Sequence, residues 1–220
     1  MRGRAMQAEV LTGAEEDGRF DARALNWRFI APPEPAGMLL LPVEAERVES
    51  AAIPDPSAPS LEDALRGRTY PAVVVGDVGR WARIGRSSAS LFLYLAAEAV
   101  APGGWLYAGF SNPLYPLRRR GGGIRAKSAA RIVSAAGMVE STLYLALPDH
   151  RRPAYIVPRA GRRELEFILR RLFVPFDGTG SSAGLTHSLL PFARRVALIA
   201  PQGIRASLAP SFALVARRPG

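Results

Sequence analysis

The sequence predicts an α/β fold in which helices wind around both faces of a mostly parallel sheet. Three observations lead there. Short runs rich in β-branched or aromatic residues recur at residues 72–75, 105–110, 139–147 and 211–216, as strands buried on both faces require. Segments with apolar residues on one helical stripe fall between them, at residues 87–100, 128–136 and 162–173. Alternation of this kind packs as a sheet with helices on its faces. The four strands are expected in one sheet, and the last, after a long excursion, is free to return antiparallel at the edge.

Each element has local signals. Residues 1–36 read as a tail and docking segment, and residues 37–220 as the α/β domain. The N-terminal stretch is polar, with Glu15, Glu16 and Asp17, and reads as a tail or short helix. Leu25, Trp27, Phe29 and Ile30 precede Pro32-Pro33 and predict a segment that lays an aromatic ring onto the core. Residues 38–41 form a short apolar run that reads as a buried strand. Pro54, Pro56 and Pro59 exclude helix and central strand from residues 51–59. Residues 61–65 form a helical turn or two behind Ser60.

Further on, residues 72–75 make a strand closed by Gly76-Asp77. The helix at 87–100 is stopped by Pro102-Gly103-Gly104, and the helix at 128–136 by Gly137. The strand at 139–147 ends in a Pro148 turn. Leu165, Ile168, Leu169 and Leu172 line one stripe of the helix at 162–173. Residues 189–200 read as a helix or helix–strand pair, and no fixed-period repeat is visible.

Composition narrows the function classes. The chain has 220 residues, 48% of them hydrophobic, enough for one core. No apolar run reaches the roughly 18–20 residues of a membrane-spanning helix. No apolar stretch follows Met1-Arg2-Gly3-Arg4 as in a secretory signal, and there are 0 cysteines, so a cytoplasmic protein without disulfides is expected. The 2 histidines, His150 and His187, lack zinc-ligand spacing, and no metal is expected. A formal net charge of +10 favours anionic partners, or else reflects a solvated surface rich in arginine. No Gly-x-Ser-x-Gly elbow or carboxylate pair points to a hydrolase or glycosidase.

Over residues 70–220 the order of pieces resembles a class I S-adenosylmethionine-dependent methyltransferase. Ala72-Val73-Val74-Val75-Gly76-Asp77 is similar to the family's fourth strand with its terminal acid. Ala101-Pro102-Gly103-Gly104-Trp105-Leu106-Tyr107 is similar to the entry into the fifth strand. Ser134-Ala135-Ala136-Gly137-Met138-Val139-Glu140 is similar to the entry into the sixth, and Ser211-Phe212-Ala213-Leu214-Val215-Ala216 to the closing seventh. Leu147-Pro148-Asp149-His150-Arg151-Arg152-Pro153 with Ile156-Val157-Pro158 resembles a sixth-strand exit loop of bacterial members.

The resemblance implies a Rossmann-like sheet and S-adenosylmethionine as methyl donor, and the front half departs from it. The family needs a glycine-rich turn after its first strand, whereas Pro42-Val43-Glu44-Ala45-Glu46-Arg47 holds no glycine. A strand–helix–strand unit takes roughly 30 residues. About one such length separates Leu41 from Val73, where the family fits three crossovers. The sheet is therefore expected to be truncated on its N-terminal side, and residues 38–49 not to form a standard donor site. Glu44, Glu46 and Glu49 are stand-ins for the ribose-binding acid or plain surface carboxylates. Asp77, at a strand end, is a further donor-binding candidate.

Candidate site residues gather at predicted carboxyl ends of strands, where open α/β sheets bind ligands. Arg118, Arg119, Arg120, Arg125 and Lys127 surround Gly121-Gly122-Gly123, a basic loop for an anion or a solvated connection. His150, beside Asp149, is a candidate general acid or base, or a loop histidine held by hydrogen bonds. Asp77 and Asn112 complete the catalytic candidates, with Asn112 equally suited to bonding its own turn. Arg151 is a substrate-binding candidate. Trp81, Trp105, Tyr107, Phe110 and Tyr115 are candidates for an apolar pocket wall, with Trp105 or Tyr107 or both in the core. Gly178-Thr179-Gly180-Ser181-Ser182 reads as a linker rather than a phosphate loop.

Three functions follow as expectations. One is a divergent methyltransferase-like enzyme acting on a small anionic metabolite, as in a biosynthetic pathway. Another is an enzyme of the same fold that has lost the donor and catalyses cyclisation, elimination or condensation. The third is a non-catalytic partner of an active methyltransferase homologue or of a second copy, or a basic nucleic-acid-binding protein. No membrane partner is expected.

Overall fold

Six strands form one sheet. They are β1 (Leu39–Leu41), β2 (Tyr70–Val75), β3 (Val100–Ser111), β4 (Glu140–Leu147), β5 (Tyr155–Pro158) and β6 (Ser211–Arg217). The computed structural model describes residues 22–43, 61, 65–115, 123–171 and 209–220. The strand order is β1-β2-β3-β6-β4-β5. β1, β2 and β3 pair in parallel. β6 runs antiparallel to both its neighbours, β3 and β4, and β5 runs antiparallel to β4. Strands β1 to β4 thus all point one way, and their carboxyl ends share an edge. The sheet is parallel among its first strands and mixed as a whole.

The four strands expected in one sheet are there, and the last is antiparallel. Its position differs from the expected edge, because β6 lies between β3 and β4. The reason is in its sequence: Phe212 to Ala216 are buried on both faces, and such a strand needs a neighbour on each side and cover above and below. The edge is taken instead by β5, read from the sequence as an exit loop. At the opposite edge, among the described residues, β1 pairs directly with β2.

The helices are α1 (Val78–Ile84), α2 (Ala89–Glu98), α3 (Ala126–Ala135) and α4 (Arg162–Arg171). All four contribute to one core. Trp81, Phe92, Leu93, Val133 and Leu165 pack there with Val73, Val75, Leu106, Leu214 and the buried Leu61 and Leu65. The opposite face presents Ala72, Val74, Trp105, Tyr107, Ala213 and Val215. Among the described residues it is covered by a 3₁₀ helix, Ala22–Phe29, rather than by the expected second helical layer. Trp27 is the ring it lays down, with its centroid 6.3 Å from Trp105 and 6.0 Å from Tyr107.

Local chemistry sets the boundaries. The Asp77 carboxylate accepts from the Arg80 amide and caps α1, a helix the sequence reading passed over. The Ser88 hydroxyl caps α2 by accepting from the Leu91 amide. Helix α2 ends at Glu98 and β3 begins at Val100, so Pro102-Gly103-Gly104 lies inside the strand's span. There the register jumps: Tyr70 pairs with Val100 and Ala72 with Trp105. Gly103 adopts φ +75°, and a Cβ at Gly104 would meet the Pro71 carbonyl at 2.6 Å. Glycine is required at both positions, one for its backbone conformation and one for close approach. The tail at residues 1–21, the proline loop at 51–59, the Gly178–Ser182 linker and the helix expected at 189–200 lie outside the described residues.

Candidate functional site

A cluster of four charged residues sits at the carboxyl edge. Asp77 follows β2, and Asp149, His150 and Arg151 follow β4. Apolar strands deliver these polar residues because they end there, leaving polar groups to occupy the turns. The α1 cap, in which its carboxylate accepts from the Arg80 amide, fixes the orientation of Asp77. The β4–β5 connection is closed by the Ala154 amide donating to the Leu147 carbonyl over 2.8 Å. The Asn26 side-chain amide donates to the Pro153 carbonyl over 2.6 Å, so the segment that carries Trp27 also anchors this connection.

His150 is buried, with its side chain 1% exposed. Its Nδ1 lies 2.8 Å from Asp149 Oδ1 and its Nε2 3.5 Å from Asp77 Oδ1. Neither contact has the alignment of a ring N–H hydrogen bond, so both act as charge contacts. Burial disfavours the imidazolium, but the two carboxylates outweigh it and raise the pKa above 6.5. Asp77 is also buried and accepts from Arg151 Nε over 2.7 Å. Burial alone would raise its carboxyl. The His150 and Arg151 charges and the Arg80 amide reverse that and hold it well below the usual carboxylate range. Asp149 is lowered likewise, with burial outweighed chiefly by His150.

Two glycines make this packing possible: Gly76, which the sequence marks as a strand end, and Gly109, which the sequence reading does not single out. A Cβ at Gly109 would stand 2.5 Å from the Gly76 carbonyl and 3.1 Å from His150 Cδ2. A glycine inside an otherwise bulky strand is the available signal of close approach. A Cβ at Gly76 would meet Val43 Cγ2 at 2.9 Å and the Val43 backbone nitrogen at 3.0 Å. Pro42 and Val43, just after β1, therefore lie flush against the end of β2. The Gly76 amide donates to the Leu41 carbonyl over 2.8 Å, and the Trp81 indole donates to the Pro42 carbonyl over 2.8 Å.

The remaining candidates are dispersed. The Asn112 side chain is buried and spans its own turn: its amide nitrogen donates to the Ala209 carbonyl over 2.7 Å, and its oxygen accepts from the Leu114 amide over 3.0 Å. It ties the end of β3 to the start of β6. Trp81 and Phe110 belong to the helix-side core, whereas Trp105 and Tyr107, two positions apart on β3, share the opposite face. The five aromatics thus do not line one wall. Tyr115 is half-buried, which raises its phenol pKa. Arg125 and Lys127 are exposed at the start of α3, behind the buried Ile124. Glu44, Glu46, Glu49, Arg118, Arg119 and Arg120 lie outside the described residues.

Among the described residues, no group of three or more His, Cys, Asp and Glu side chains could hold a metal ion. None of the described helices is long and apolar enough to cross a membrane. No protein-family model and no curated protein sequence matches the chain. Fold and site define an α/β protein with an open mixed sheet and, at its carboxyl edge, a charge cluster around the buried His150 and Asp77.

Proposed function

We propose that the chain is a methyltransferase-like protein that handles a small anionic metabolite at the carboxyl edge, without holding a methyl donor between β1 and β2. Strand order supports the fold part. β6, matched to the family's closing strand, runs antiparallel between β3 and β4, matched to its fifth and sixth. Such an open mixed sheet is compatible with a Rossmann-like fold, and the likeness is one of fold. The exposed cations Arg125, Lys127 and Arg151 supply attraction for an anion. A cytoplasmic location belongs to the same proposal, supported by the 0 cysteines.

One observation carries the donor part. The family rests the methionine moiety on glycine backbone after its first strand. Here Val43 and Pro42 fill that position against Gly76, and Trp81 fastens them through the Pro42 carbonyl. The described residues do not fit the donor, so the chemistry assigned to the cleft is a donor-free reaction such as cyclisation, elimination or condensation. Calorimetric titration of the full chain with S-adenosylhomocysteine tests this. The expected outcome is no saturable heat; micromolar binding would overturn the reading.

A further inference from the structure

We infer that His150 is a buried counter-cation that positions Arg151 to bind the carboxylate or phosphate of a small ligand through its outward guanidinium edge. The inference rests on the anionic-metabolite reading and names the recognising group. His150 is walled in: both ring nitrogens face carboxylates, and its Cδ2 lies over Gly109. A ligand at the edge does not touch it. Arg151 is different. Its side chain is 44% exposed, and its Nε is spent on Asp77 Oδ2. A guanidinium carries five donors in a planar fork. Among the described residues only the Nε of Arg151 is engaged by a side chain, which leaves the two terminal nitrogens for a two-oxygen anion.

Charge balance links the two residues. The groups facing His150 are Asp77 from the β2–α1 turn and Asp149 from its own connection, while β3 presents the uncharged Gly109. Arg151 joins through Asp77. With His150 protonated, two carboxylates oppose two cations and the cluster is neutral. With His150 neutral, the cluster carries one net negative charge directly behind Arg151 and repels an incoming anion. Anion affinity at Arg151 therefore falls as pH rises through the titration of His150, although His150 never contacts the anion.

The test is an NMR titration of the full chain with sulfate, whose charge is constant over the range, and with acetate. Arginine Nε–Cζ correlations are the readout. Sulfate or acetate is expected to shift the Arg151 signal saturably, with affinity at least about fivefold weaker at alkaline pH than near pH 6. Arg151→Lys is expected to weaken binding about tenfold, and His150→Gln to flatten the pH profile. Tighter acetate marks a carboxylate ligand and tighter sulfate a phosphate-like one; either supports the inference. Should His150→Gln not fold, a pH-independent wild-type affinity overturns the inference by itself. Saturable shifts at Arg125 but none at Arg151 would also overturn it while leaving the anionic-metabolite reading standing. No saturable shift anywhere would sink both.

Discussion

At the scale of single residues, the Asp77–His150–Asp149 contacts tie stability to pH. The Asp77 and Asp149 carboxyls are lowered. Their share of stability is complete above the unfolded value, about pH 3.9, and is lost as pH falls through the folded one. His150 is raised from 6.5. Its share is complete below the unfolded value, about pH 6.5, and is lost as pH rises through the folded one. The cluster is most stabilising between about pH 3.9 and 6.5. Melting curves of wild type and His150→Gln across pH are expected to differ most in that window and to converge on the alkaline side. A difference that grows with pH would contradict the assignment. Gly109 gives a second residue-level prediction. Gly109→Ala drives a methyl into the Gly76 carbonyl, a backbone atom with no rotamer to yield, and should cost about 1–3 kcal/mol in urea denaturation. An unchanged midpoint would show that the two strands separate easily there.

At the scale of elements, the C-terminal strand does more than pair. Arg218, just past β6, donates from one Nη2 to the Ala97 carbonyl over 3.0 Å and to the Ala136 carbonyl over 2.6 Å. These carbonyls lie at the ends of α2 and α3, so one guanidinium fastens two helices to the strand. Arg218→Ala should lower stability by about 1–3 kcal/mol, measured as a shift in urea midpoint, and Arg218→Lys should recover part of it. Equal midpoints for wild type and Arg218→Ala would mean that water caps those helices as well. This scale also shows what the sequence made legible. The runs at 72–75, 105–110 and 211–216 read as strands because they are apolar on both faces, and Trp27 read as a docking ring from its apolar surroundings. Helix α1 is hidden in the sequence because its cap, Asp77, reads equally as the end of the strand. β5 is not legible, because four residues ending in Pro158 look like a loop until a partner strand supplies hydrogen bonds. Pro102-Gly103-Gly104 signalled a helix stop, but only the position of Pro71 shows that the same glycines make a bulge.

At the scale of the whole molecule, the sheet gathers residues distant in sequence along one edge. Asp77 and the Asp149–Arg151 stretch meet because β2 and β4 run the same way, and Gly109 on β3 leaves room between them. Sequence order placed Asp77 and the Asp149–Arg151 stretch at strand ends. It did not show that His150 would be sealed between two carboxylates, since burial comes from Gly109, the Asn26 anchor and the packing of three strands. Nor did it show Val43 lying against Gly76, although the glycine-free turn pointed that way. In the proposed function the carboxyl edge is the working surface and the β1–β2 crevice is closed by Val43 against Gly76. Backbone amide shifts of the isotope-labelled full chain during titration with S-adenosylhomocysteine test this most directly, because they report where contact occurs. The amides of Leu41, Val43, Val75, Gly76 and Asp77 are expected not to move; saturable shifts at these residues would contradict a closed β1–β2 crevice.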